Sequence, residues 1–464
     1  MKKAWLEDMV AVKKKDLPLG ILHQWKDELT MKVRSFRAYI DVEIFIENDK
    51  WLWLPRVFGY RRLKRIGFKF QDNRCITPDL PFSVNWSLLD TPPYPPDQSI
   101  MIKRVVEKVK KNGLGGFAVA PTASGKTLMG SYMCALLGGP SLIIVHKSDL
   151  IKNWRTSIQG FEIQGKDVPT IRVGGKVPRI GTIRGDICNY GPRYPFVIAT
   201  VQSLAQREYP TEMYSAFRTV LFDEVHHLPA ESFLSVAYKF KAKYLLGTTA
   251  TLRRKDGTEK AFNHALGDTL YVMKRQQIEG KVYFVPVPFL LSKGQLTAAG
   301  MLSMSKMGTA FARLEYRNTI IIEHVLKAYM SGRKNLILTA TRDHLAVLYN
   351  LLPDIIKKRA GFYIGGSTEE ELNTASGKQI LFATMGMAYE GMDVPDIDML
   401  TLATPIKDVE QPVGRILRQH EDKMRPVIVD FVDLHKPLIR WARESRAVYY
   451  RREGFTFKTK VPVL

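Results

Sequence analysis

From about residue 98 onward the chain alternates short apolar runs with longer amphipathic stretches. That rhythm restricts the fold more than any other feature. The runs fall at 117–120, 141–145, 196–200, 219–222 and 244–247, and again at 335–339, 361–364, 379–383, 399–403 and 426–431. They are rich in Val, Ile, Leu and Phe, as strands buried on both faces of a parallel sheet must be. The pattern predicts the α/β class, with two tandem units at 91–280 and 281–464. Residues 1–90 read differently. They are aromatic and basic, with short alternating runs: Ile40-Asp41-Val42-Glu43-Ile44, leading on to Trp51-Leu52-Trp53-Leu54, and Ile66, Phe68 and Phe70 at every second position. A small α+β accessory domain is expected there, with strands around a helix near 22–32. The cluster Thr91-Pro92-Pro93-Tyr94-Pro95-Pro96 reads as a linker.

Composition narrows the partners. Among 464 residues, 69 Lys and Arg face 46 Asp and Glu, a net charge of +23. Such an excess predicts a polyanionic partner, most simply nucleic acid. Cys75, Cys134 and Cys188 are too few and too scattered for a disulfide framework, so a reducing compartment such as the cytoplasm is expected. No apolar run reaches the ~20 residues that span a bilayer, and the first residues lack a signal-peptide core, so no membrane association is expected.

The strongest local signal is Ala120-Pro121-Thr122-Ala123-Ser124-Gly125-Lys126-Thr127. It follows an apolar run and opens a helical pattern, the context of a phosphate-binding loop. In such a loop successive backbone N–H groups and the helix N-terminus turn toward phosphates. Lys126 adds a point charge, and the Thr127 hydroxyl can join a Mg²⁺ shell. The usual pattern has Gly where this chain has Ala120. ATP and Mg²⁺ are the cofactors expected.

The run 219–222 ends in Asp223-Glu224-Val225-His226-His227. Two carboxylates at the C-terminal edge of a buried strand stand where α/β sheets bind ligands. Asp223 is expected to hold Mg²⁺ through water, and Glu224 to polarise the attacking water. His226 and His227 lack a third ligand, so a polar link from His226 to the next motif is expected rather than a protein-bound metal. That motif, Thr249-Ala250-Thr251, places Thr249 and Thr251 as coupling residues. In the second unit, Gln411-Pro412-Val413-Gly414-Arg415-Ile416-Leu417-Arg418 sets Arg415 and Arg418 at i and i+3 on one helix face. Two guanidinium forks there suit charge on a γ-phosphate.

Taken in order, Gly125-Lys126-Thr127, Asp223-Glu224-Val225-His226, Thr249-Ala250-Thr251 and the arginine segment resemble the superfamily 2 helicases and translocases. The stretches Asp223 to Ala230 and Thr249 to Gly257 are similar to the XPB/UvsW-like DNA branch, and differ from DEAD-box RNA helicases. The resemblance covers roughly 92–450 and implies two RecA-like lobes behind the accessory domain. It also implies that ATP completes its site when the lobes close, with Gln411, Arg415 and Arg418 joining Lys126, Asp223 and Glu224. Tyr389-Glu390-Gly391-Met392-Asp393 resembles the motif that touches nucleotide and DNA, which brings in Gly391 and Asp393. Gln98 resembles the adenine-reading glutamine, and Tyr94 could stack on the base. DNA contacts are implied at His146, Lys147, Thr200 and Gln202 in one lobe, and at Thr341, Arg342 and Thr384 in the other. The implied protein is a monomeric, phage-type helicase acting on forked, branched or single-stranded DNA.

Two basic regions lie outside these motifs. One is Tyr60-Arg61-Arg62-Leu63-Lys64-Arg65, near Trp51, Trp53 and Phe58; the other holds Arg440, Arg443, Arg446, Arg451 and Arg452. Each reads as either a nucleic-acid surface or an apolar core with a solvated basic face. Met301, Met304 and Met307 at helical spacing read as helix core or a mobile insertion rather than a binding surface. A double-strand translocase, an RNA helicase and a non-enzymatic nucleic-acid-binding module remain alternatives at this point.

Overall fold

The computed structural model describes residues 2–34, 39–90, 97–121, 124–163, 165–228, 230–250, 258–274, 279–288, 303–390, 392, 394–417 and 423–462. The chain divides into two compact units, Met1–Thr91 with Pro96–Lys274, and Arg275–Leu464 with Pro92–Pro95.

The first unit is built on an eight-stranded sheet. Its order is Ile187–Cys188, Ile180–Arg184, Phe196–Thr200, Ser141–Val145, Thr219–Phe222, Tyr244–Thr249, Gly115–Val119, Thr269–Val272. Every neighbouring pair is parallel except the Ile180–Arg184/Ile187–Cys188 hairpin at one edge. The three central strands from Phe196 to Phe222 in that order are buried along their whole length, as apolar runs covered by helices on both faces require.

Residues 1–91 pack into this same unit. Their sheet runs Ile46–Glu47, Trp51–Leu54, Val10–Lys13, Lys3–Leu6, Lys69–Asp72. Its inner residues share one continuous apolar core with the α/β layer. Arg56, 1% exposed, pins the junction by donating to the carbonyls of Ala242 (2.7 Å) and Phe240 (2.8 Å). The helix expected near 22–32 starts earlier, at Leu19–Glu28. Pro18 fixes the entry to its first turn. The following Thr30–Arg34 pairs antiparallel with Tyr39–Glu43 instead of continuing the helix, because its β-branched, alternating residues suit a strand. The basic run 60–65 lies on a further helix, Arg56–Arg65.

The second unit holds a seven-stranded parallel sheet. Its order is Ala360–Tyr363, Ile380–Thr384, Asn335–Thr339, Met399–Leu402, Val427–Asp433, Lys281–Val287, Thr456–Phe457. Two ion pairs are fully buried in it, Arg317 with Asp433 and Arg446 with Asp430. Met304–Ala312 is a helix, and Met307 is in its core-facing row; Met301 lies outside the described residues. Among the described residues no helix is long and apolar enough to cross a membrane.

Candidate functional site

In the first unit the strand Gly115–Val119 runs through Ala120 and Pro121 to Gly125, which opens the helix Lys126–Leu136. Thr122 and Ala123 lie outside the described residues. Gly125 sits at φ +80°, a left-handed position that glycine adopts without a Cβ clash and that swings the chain into the helix. Ser124 Oγ donates to Pro121 O at 2.7 Å, closing the loop on itself. Gln98 is fully buried behind it: its amide donates to Ser124 O (2.8 Å) and accepts from Asp90 N (3.2 Å). The side chain expected at an adenine edge therefore braces the phosphate loop in this structure.

Lys126 Nζ lies 2.9 Å from Glu224 Oε1, and 3.4 Å from both Ala120 O and Pro121 O. Glu224 follows the buried strand Thr219–Phe222 and takes φ +47°. A non-glycine residue there stores backbone strain, which at a cluster of charged groups is a mark of function. Its second oxygen stands 3.3 Å from His226 Nδ1, which in turn lies 2.9 Å from Thr249 Oγ1. A polar chain thus runs from the phosphate loop through Glu224 and His226 to Thr249, at the end of Tyr244–Thr249. Thr251, the other coupling candidate, lies outside the described residues.

Asp223 is buried and held from two sides. Trp154 Nε1 donates to Oδ2 and Thr248 Oγ1 to Oδ1, each at 2.8 Å. Burial, and next the charge of Glu224, push its carboxyl up to about 6, against the opposing pull of those two donors and of Lys126. Trp154 was not foreseen from the sequence. It lies on the helix Leu150–Gln159, and its ring packs on Gly130 of the phosphate-loop helix, where an added Cβ would stand 2.7 Å from the indole. No motif marks it; an aromatic on an apolar helix face reads as ordinary core.

The expected nucleic-acid residues of this unit come together. His146, Lys147, Thr200 and Gln202 line one open cavity of about 780 Å³. Ser141–Val145 and Phe196–Thr200 are adjacent, with Val145 opposite Thr200, so both loops leave the same sheet edge. Gln202 Nε2 donates to His146 O at 2.7 Å, tying the loops together. Arg184 and Arg207 line the same cavity. They were missed because the hairpin carrying Arg184 has no motif, and Arg207 ends the short helix Val201–Gln206 as its C-cap. Arg207 is ion-paired with Asp186.

In the second unit, Thr341 caps the helix Arg342–Asn350, and Arg342 donates to Gly365 O. Thr384 ends Ile380–Thr384 directly opposite Thr339, so Thr341 and Thr384 share one sheet edge. Gln411 and Arg415 lie on the helix Glu410–Ile416, and the Arg415 guanidinium donates to Ala388 O and Met392 O. Arg418, Gly391, Asp393 and Tyr94 lie outside the described residues. Arg446, grouped by sequence with a basic surface, belongs to the core. Its guanidinium is fork-paired with Asp430 at 2.8 Å on both bonds, and Tyr450 donates to the same carboxylate. A cationic side chain in this helical segment is buried because Asp430, on the strand Val427–Asp433, matches its charge.

Residues 92–254 match the family described as type III restriction enzyme, res subunit. That span holds the phosphate loop, the acidic pair and Thr249, in the order the sequence predicts. Over that span the chain is similar to this family, and over nearly its whole length it is similar to helicases. It is 26% identical over 93% of its length to a provisionally named ATP-dependent RNA helicase of Acanthamoeba polyphaga mimivirus, covering 82% of that protein. It is 25% identical over 93% of its length to a provisionally named helicase of Escherichia phage T5, covering 90% of it. A DNA 3'-5' translocase XPB2 of Sulfurisphaera tokodaii is 27% identical over 54% of this chain and 52% of its own.

Proposed function

We propose that the chain is a nucleic-acid-stimulated ATPase that unwinds or branch-migrates forked or branched DNA. The reading carries three regions: an accessory domain at 1–90 and RecA-like lobes at 91–280 and 281–464. The observation that supports it most is the contact of Lys126 with Glu224 at 2.9 Å, beside the phosphate loop and next to Asp223. A cation aimed where phosphates would lie, a carboxylate able to polarise water and a second buried carboxylate form the charge set of phosphoryl transfer to water. Phosphate oxygens compete with Glu224 for the Lys126 ammonium. ATP binding thereby releases Glu224 to accept a proton from water, while His226, itself in contact with Thr249, stands beside its other oxygen.

The residues fit Mg²⁺. Asp223 has a raised proton affinity because its buried charge lies beside that of Glu224, and a hard divalent ion satisfies that charge. Thr127 and Asp223 would hold it, in the second case through water. When bound, it supplies positive charge to the β- and γ-phosphate oxygens. The groove at His146, Lys147, Thr200 and Gln202 takes the nucleic-acid backbone through sequence-independent contacts.

The test is ATPase turnover of the purified chain with single-stranded, duplex, forked and four-way DNA and with RNA. Stimulation highest with forked or four-way DNA is expected. Stimulation by RNA alone would install the second reading, which the name of the mimivirus relative favours. Stimulation by none would leave a binding module and overturn both.

A further inference from the structure

We propose that the outward face of the N-terminal sheet is a stacking platform for a single-stranded segment of nucleic acid; the inference rests on the nucleic-acid reading above. The alternation of each strand decides what this face carries. Ala4, Leu6, Val10, Val12, Leu52 and Leu54 point inward and are buried. Their neighbours Lys3, Trp5, Ala11, Lys13, Trp51 and Trp53 therefore point outward. Register then assembles them. Trp5 lies opposite Ala11, Ala11 opposite Trp53, and Trp53 opposite Ile46. Lys13 lies opposite Trp51, and Lys3 opposite Lys69.

Three half-buried tryptophans thus gather around the small Ala11. The Trp5 and Trp51 rings are 4.9 Å apart edge-on, and Trp51 and Trp53 are 6.4 Å apart and tilted by 33°. The Lys13 ammonium lies 5.9 and 5.6 Å from the Trp5 and Trp51 centroids. The charge on this face has one sign. Lys3 and Lys69 are exposed cross-strand neighbours, neither in an ion pair among the described residues, and like charges placed so destabilise a sheet. No carboxylate is among the outward residues of the central three strands.

A merely solvated face would not combine clustered indole area with unmatched cations. A strand of unpaired nucleotides satisfies both: bases stack on the indole faces, Lys13 moves from ring to phosphate, and Lys3 and Lys69 gain counter-charges. A duplex keeps its base faces inside the stack and matches only the lysines. The sequence-level grouping of Trp51 and Trp53 with Phe58 and Tyr60 is divided by the fold: Phe58 is in the core beneath the sheet, and the lysines 3, 13 and 69 take the place of the arginine helix.

The test is anisotropy with labelled oligothymidine and oligouridine of about 20 nucleotides and a blunt duplex of about the same length. Trp51→Ala/Trp53→Ala should weaken both single strands about tenfold, and the duplex little, while ATPase without nucleic acid stays unchanged. Lys3→Glu/Lys69→Glu alters exposed positions that do not threaten folding. It should weaken single-strand binding and lower the salt slope. If this charge variant binds single strands as the unmodified chain does, or if only duplex binding falls, the platform is overturned. Failure of the functional reading is separate: there the unmodified chain's ATPase responds to no nucleic acid.

Discussion

At the scale of single residues, the acidic pair divides into two environments. Glu224 is reachable, strained and in contact with Lys126 and His226, whereas Asp223 is buried and clamped by Trp154 and Thr248. The first environment suits proton transfer; the second suits holding a charge in one place. Glu224→Gln removes the base but keeps the shape. It should retain nucleotide binding and lower kcat by about 10²–10⁴-fold; near-normal turnover would remove Glu224 from the chemistry. Trp154→Phe keeps an aromatic ring against Gly130 and deletes the N–H that Asp223 Oδ2 accepts. An unsatisfied buried acceptor costs about 1–3 kcal/mol. The variant should therefore raise the Mg²⁺ concentration needed for half-maximal ATPase and lower kcat by about tenfold. If neither changes while melting does, Trp154 is packing only. Acidic pairs are common at strand ends; this one was legible because it closes an apolar run one strand-rich stretch downstream of Lys126. Trp154 was not, because its partner lies far along the chain and an indole in a helix carries no mark of what its N–H will meet.

At the scale of elements, strands buried on both faces were easiest to read. Ser141–Val145, Phe196–Thr200, Thr219–Phe222 and Asn335–Thr339 stand where the apolar runs placed them. Ile180–Arg184 and Thr269–Val272 lie toward sheet edges and mix polar residues into the run, so no continuous apolar signal survives. Lys281–Val287 contains Pro286, which reads as a break. The fold tolerates it because the outer neighbour pairs only with Lys281 and Val282, leaving Pro286 on an open edge. The C-terminal arginines show the opposite error, a chain segment that reads as surface and is partly core. Arg446 donates to Asp430 and Ile406 O from a fully buried position, whereas Arg443 is exposed. Arg446→Ala leaves Asp430 buried without its counter-ion and should cost about 3–5 kcal/mol in a denaturant or thermal melt. Arg443→Ala should lie within about 0.5 kcal/mol of the unmodified chain. Equal effects would mean that losing the counter-ion of Asp430 does not destabilise this unit.

At the scale of the whole molecule, the net charge of +23 is a property of the surface field, and the local pairs decide which cations contribute to it. Arg61 is bound to Asp268 through both of its terminal nitrogens, and Arg62 to Glu28. The basic helix Arg56–Arg65 therefore presents less free charge than its sequence suggests. Nucleic-acid affinity of such a protein should fall steeply as salt rises from about 50 to about 200 mM, by ~10³–10⁵ if six to ten phosphates are neutralised. ATPase without nucleic acid should hardly respond over the same range, because the Lys126–Glu224 contact is shielded within the unit. Arg61→Ala/Arg62→Ala removes two charges already matched internally. Its salt slope should stay within about one unit of the unmodified chain, since each lost phosphate contact changes the slope by about 0.9. A drop near two would show that both arginines leave Asp268 and Glu28 to grip the backbone, and would move the polyanion-binding surface onto this helix.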